Sequence, residues 1–201
     1  PDEIKLLEIA ASMADGAFYL LQEEIRPGVR ESDLVALASD YLLRQGSEFV
    51  SCINVSSGPR TYPHQSPSTD RIMRPGELVY IDIMHIYNGY YTCYFRTFVC
   101  GDKTTDQQRS VYRRTVEWMD AGIDAVKPGA TNADVAAAWP GVKDLGFGDY
   151  KNEAEAFLLQ FGHGVGLALW ERPVFSRLFL DTPYEIKEGM SFALETYCSS
   201  P

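Results

Sequence analysis

The stretch IRPGVRESDLVALASDYL, residues 25 to 42, is echoed about a hundred residues later by VKPGATNADVAAAWPGV, residues 126 to 142. Each opens on a basic-Pro-Gly corner, runs through a short turn that ends on a polar residue and Asp, and continues with apolar residues at helical spacing. A helix cannot run through such a corner, because proline lacks the donor and glycine readily takes the left-handed conformation that ends a helix. A long amphipathic helix is predicted before each corner. The first spans Glu3 to Glu24, with Ile4, Leu7, Ile9, Ala11, Met13, Phe18 and Leu21 at helical spacing, and the second spans about Thr105 to Val126. The second helices are predicted over Glu31 to Leu43 and Asn132 to Ala138. Self-similarity at this distance implies two related helix pairs rather than a short-period solenoid.

Strand signals follow each pair. Ser47 to Val55 is rich in β-formers, and Leu78 to Met84 and Tyr90 to Val99 flank an Asn88-Gly89 turn, the chemistry of a tight hairpin. Residues 158 to 169 and 190 to 198 are predicted as strands bordering a glycine-rich stretch. The expected class is α+β, with pseudo-twofold α-α-β-β halves whose helices cover a curved, mostly antiparallel sheet. With 201 residues, 45% of them hydrophobic, one domain over 1–201 is expected. Both ends read as cut: the chain starts just before a helix and stops after an apolar strand, so a preceding domain and a last strand are expected outside it.

Eighteen Lys and Arg against 28 Asp and Glu give a net charge of −10, which repels polyphosphate and anionic lipid and argues against nucleic-acid and membrane partners. No apolar run approaches the roughly 20 residues of a membrane span, and PDEIKLLEIAA has no signal-peptide character. A cytoplasmic setting is expected. Cys52, Cys93, Cys100 and Cys198 lie far apart without CxxC spacing and read as free thiols.

Several residues stand out against their surroundings. Asp82 lies inside the apolar strand 78–84, where a charge needs a partner. Glu195 follows Phe192, Ala193 and Leu194 in the same way. His163 sits between glycines in FGHGVGLALWERP, 161 to 173, as either a site residue or a core histidine bonded to a backbone carbonyl. Gly162, Gly164 and Gly166 are expected to clear an approach to it. His64, beside Tyr62 and Pro63, is either a site residue or an exposed loop histidine. Glu171 and Arg172 read as a structural ion pair or as a contact for a substrate anion. His85 lies three positions along the strand from Asp82 and is expected to point to the opposite face.

The ordered motifs SGPRTYPH (57–64), RPGELVYIDIMHIYNGYYTCYFRTF (74–98), KPGATNADV (127–135), FGHGVGLALWERP (161–173) and IKEGMSFALET (186–196) resemble the pita-bread family of creatinases, prolidases, and methionine and Xaa-Pro aminopeptidases, peptidase family M24. The resemblance implies hydrolysis of a peptide, amide or related C–N bond in a homodimer, with a short peptide or small molecule as substrate. It also implies a divalent metal site, of Mn, Fe, Co or Zn. Asp82, His163 and Glu195 match metal ligands, and Cys93 occupies a second Asp position eleven residues after Asp82. His64 matches the family's proton-shuttling histidine, and in a creatinase-like, metal-free scheme Glu195 would be its carboxylate companion. Trp170 replaces a histidine at the corner, and Trp170, Glu171 and Arg172 are expected to meet substrate. A thiol among hard carboxylates alters the metal site, leaving one ion or none. Two alternatives stay open beside the peptidase: a metal-free or mononuclear lyase or small-molecule hydrolase, resembling creatinase or dimethylsulfoniopropionate lyase, and a binding member of the fold without catalysis.

Overall fold

The two Pro-Gly corners take the same local geometry, residue for residue. In a computed structural model, which describes residues 2–64, 66–157 and 160–199, Gly28 and Gly129 both have positive φ, the conformation glycine adopts without strain. The Gly28 amide donates to the Met73 carbonyl and that of Gly129 to the Ile186 carbonyl. Arg30 and Thr131 then form isolated antiparallel bridges with Ile72 and Glu185. The echo in the sequence is thus an echo in hydrogen bonding.

The chain divides into two compact units, one comprising residues up to Thr104 with Val165–Leu169, the other Thr105–Gly164 and the residues from Trp170 on. In the first, helices α1 (Asp2–Glu24) and α2 (Glu31–Arg44) precede strands β1 (Phe49–Ser57), β2 (Leu78–Tyr87), β3 (Tyr90–Tyr91) and β4 (Tyr94–Val99). β2 pairs antiparallel with β1, β3 and β4. Asn88 and Gly89 both have positive φ, as the predicted hairpin turn requires. Phe18, Leu21, Leu34 and Leu42 from the helices form a core with Ile53, Val55, Ile81 and Ile83 from the strands. Strand alternation turns Asn54 and Asp82, which are register partners, to the other face. The Tyr91 amide of β3 donates to the Gly166 carbonyl at 2.8 Å.

In the second unit, α3 (Asp106–Ala125), α4 (Asn132–Ala136) and α5 (Glu153–Phe157) precede β5 (Gly162–Gly164), β6 (Glu171–Phe175) and β7 (Phe192–Leu194). Thr105 and Thr131 cap α3 and α4, each accepting from the backbone amide three residues on. β5 lies between β6 and β7, both antiparallel to it. Trp139, Phe147, Phe161 and Phe175 lead a separate core.

Several expected boundaries need correction. The predicted strand 90–99 is broken at Thr92-Cys93, where the Thr92 amide turns back to the His85 carbonyl. Of 158–169, only Gly162–Gly164 is strand, with 158 and 159 outside the described residues, and 190–198 narrows to Phe192–Leu194. α4 ends early, before Pro140. Glu171–Phe175, read as a corner, is a strand despite Pro173. Proline lacks a ladder donor and so masks a strand in a sequence reading. Among the described residues no helix is long and apolar enough to cross a membrane.

Candidate active site

Gly162, with φ 147°, lets β5 run close to β7: a Cβ there would stand 2.4 Å from the Ala193 carbonyl oxygen. At Gly164 it would meet the Arg172 carbonyl oxygen at 2.9 Å. Two of the glycines expected to clear an approach to His163 therefore serve a different purpose, the tight lateral packing of three strands around it.

His163 is fully buried and Glu195 is 3% exposed. The Nδ1 of His163 lies 2.8 Å from the Gly164 carbonyl oxygen. A carbonyl only accepts, so Nδ1 carries a proton and donates; in the neutral imidazole, the form that ligates a metal, Nε2 is then the lone-pair nitrogen. Nε2 lies 3.4 Å from Oε1 of Glu195, without hydrogen-bond geometry. The other carboxylate oxygen, Oε2, accepts from the Tyr197 hydroxyl. With His163 neutral, a lone pair and a carboxylate oxygen face each other in a buried place, an arrangement that a proton on Nε2 or a cation between them would relieve. Trp170 meets the His163 ring edge-on, with centroids 6.3 Å apart, while remaining 66% exposed. Glu171 and Arg172 lie in β6, with Glu171 partly exposed and Arg172 exposed.

In the first unit, Asp82 is fully buried. Asn54 Nδ2 donates to its Oδ2 at 3.2 Å, and the Cys52 thiol donates to Asn54 Oδ1 at 3.4 Å. Burial and then the Asp82 charge push the Cys52 thiol pKa up, which keeps the proton on sulfur for that bond. The order thiol, amide, carboxylate fixes which end of the Asn54 side chain faces Asp82. Cys93 is half-buried in the break between β3 and β4. His64 is half-buried in the loop beyond the 3₁₀ turn Gly58–Thr61. His85 points away from Asp82 as expected, packed on α1 through the Ala10 carbonyl. No disulfide joins Cys52, Cys93, Cys100 or Cys198.

The structure therefore brings His163 and Glu195 together in one unit and sets Asp82 on an Asn54 support in the other. Asn54 and Tyr197 were not singled out from the sequence; the one available signal is an amide in the run of β-formers opposite Asp82.

The model of metallopeptidase family M24 matches residues 5–201. The chain belongs to family M24. The Xaa-Pro dipeptidase of Pyrococcus furiosus is 35% identical over 198 residues, covering 96% of this chain and 53% of its own length. That of Lactobacillus delbrueckii subsp. lactis is 31% identical over 198 residues, covering 96% and 50%. The solved prolidase of Pyrococcus horikoshii superposes with TM-score 0.82 at 26% identity, over 98% of this chain and 55% of that one. The P. furiosus prolidase superposes with TM-score 0.81 at 30% identity, over 96% and 55%. This M24 chain has the α+β pita-bread fold of those prolidases, and it spans about half the length of the curated relatives it matches.

Proposed function

We propose that this M24 chain carries the catalytic site of a peptidase acting on short peptides of the Xaa-Pro type, with a metal site altered by Cys93. The observation that carries the reading is the Nδ1–H of His163 held by Gly164, which turns Nε2 toward Glu195 Oε1 at 3.4 Å. Kinship with two Xaa-Pro dipeptidases supplies the substrate class. His163 and Glu195 fit a divalent cation, since each offers a lone pair without losing a bond it already makes. By the family resemblance, Cys93 and Asp82 of the first unit stand at the positions of two further ligands. A set of thiolate, imidazole and carboxylates suits Zn better than Mn, and a thiolate does not bridge two hard ions as an aspartate does. The reading is therefore a single ion.

Such an ion, when bound, polarises the scissile carbonyl and lowers the pKa of a water. The chain's own residues set the rest. Gly164 keeps His163 in one tautomer, Tyr197 restrains Glu195 through Oε2, and Asn54 holds Asp82 by one oxygen. His64, half-buried in its loop, is the group assigned to move a proton to the leaving nitrogen. Trp170 offers an exposed ring for substrate packing, and Glu171 and Arg172 offer charges for the peptide termini.

The test is elemental analysis and dipeptide hydrolysis on the purified full-length protein. We expect close to one metal ion per chain, loss of Xaa-Pro hydrolysis on chelation, and recovery with Zn. Full activity in metal-free protein would overturn the metal reading and favour creatinase-like acid–base chemistry. No hydrolysis by the metal-loaded protein would leave a binding protein.

A further inference from the structure

We propose that Glu31 is a positioning residue that clamps the two stems of the loop carrying His64; the catalytic consequence rests on His64 being the proton carrier.

Glu31 is the first residue of α2 and is fully buried. A buried carboxylate needs every lone pair occupied, and here the partners are divided between two chain segments. Oε1 accepts from the amide and the hydroxyl of Ser57, each at 2.8 Å. Oε2 accepts from the amide of Thr69 at 3.0 Å and from its hydroxyl at 2.8 Å. Ser57 ends β1, just before the loop, and Thr69 lies where the loop returns. One carboxylate therefore closes the loop at its base, one oxygen to each stem. Arg60 Nε, inside the loop, lies 3.4 Å from Oε1, and its guanidinium also reaches the Pro67 carbonyl. Ser56 and Ser66 bond each other across the loop, Oγ to carbonyl at 2.8 Å and amide to Oγ at 2.9 Å.

The second unit repeats the device with different chemistry. Asn132, the first residue of α4, is 3% exposed and corresponds to Glu31 across the Pro-Gly echo. Its Nδ2 donates to the Val174 carbonyl at 3.1 Å and its Oδ1 accepts from the Tyr184 amide at 2.7 Å. Those are again the two stems of one loop. Where the stems offer one acceptor and one donor, the residue is an amide; where both stems offer only donors, it is a carboxylate. The match between residue type and stem chemistry in both units identifies clamping as the purpose of the position. Held this way, the His64 loop is kept from sampling other arrangements, and a displacement of His64 by even an ångström would weaken proton transfer.

The test uses the full-length, metal-loaded protein. Glu31→Gln keeps the size and replaces one acceptor oxygen with an NH₂ that confronts donors. We expect amide exchange across 57–69 to accelerate by about tenfold or more, metal content to stay unchanged, and kcat for an Xaa-Pro dipeptide to fall by about tenfold. In a His64→Ala background, Glu31→Gln should lower kcat no further. Unchanged exchange in 57–69 overturns the clamp, and so does a Glu31→Gln loss that persists at full size without His64. If His64→Ala alone leaves kcat intact while Glu31→Gln speeds exchange, the clamp stands and the assignment of His64 falls. Thr69→Val, which removes one hydroxyl donor and keeps the fold's packing, is the milder companion. It should speed exchange on the Thr69 stem only, and no effect there counts against the clamp.

Discussion

His163 has its Nδ1 held by a single backbone carbonyl, and one oxygen of Glu195 is held by one phenol. Tyr197→Phe removes the donor to Oε2 while keeping the ring. Metal affinity should drop by about 10- to 100-fold, the usual cost of losing a group that orients a ligand; calorimetric titration with Zn measures it, and an unchanged Kd would show that Tyr197 only fills space. Cys93→Asp should move the preference from Zn toward Mn by restoring a hard oxygen, read by competitive metal loading. The burial of Asp82, His163 and Glu195 was legible in the sequence because a charge or an imidazole inside an apolar or glycine-rich run is anomalous. Asn54 and Tyr197 were not, because a neutral polar residue in a strand is ordinary until its partner across the sheet or two positions away is known.

At the scale of elements, two contacts show how helices are seated, one on a strand and one on the segment after α4. His85 in β2 is fully buried; its Nε2–H donates to the Ala10 carbonyl of α1, and its Nδ1 lies 3.2 Å from Ser47 Oγ. Burial, the dominant cause, lowers its pKa from 6.5. The folded chain resists a proton that the unfolded chain accepts, so the contribution is complete above pH 6.5 and is lost as pH falls from there through the lowered folded value. Urea midpoints at neutral and mildly acidic pH should fall more steeply for the parent than for His85→Gln, and parallel slopes would refute this. Gly122 is the only buried residue of α3 among those described, and a Cβ there would lie 2.1 Å from the Trp139 ring. Trp139 stacks on Phe161 with centroids 4.9 Å apart, so the ring has little room to yield. Gly122→Ala should cost about 1–3 kcal/mol from overpacking, which exceeds the gain of at most about 1 kcal/mol in helix propensity; denaturant unfolding decides. Neither contact is visible in the sequence, where His85 reads as a strand residue and Gly122 as a weak point in a helix. β6 was hidden for the complementary reason, its proline and charges speaking for a turn.

Over the whole chain, the repeated half was the most legible feature, because a Pro-Gly corner constrains the backbone itself and so leaves the same trace twice. What stayed hidden was that Val165–Leu169 belongs to the first unit although its flanks belong to the second, since a long-range pairing leaves no local signature. That membership sets an order of events. Tyr91 finds its acceptor in Gly166, 75 positions later, and closing so long a loop is slow compared with pairing neighbouring strands. In pulse-labelled refolding, the Tyr91 amide should gain protection after the amides of β1 and β2; simultaneous protection would refute the order. During synthesis the delay becomes literal. At about 5–20 residues per second, roughly 4–15 s separate the two residues at the ribosome, and through that interval the nascent chain carries an unfinished strand edge of the kind that invites pairing with another chain.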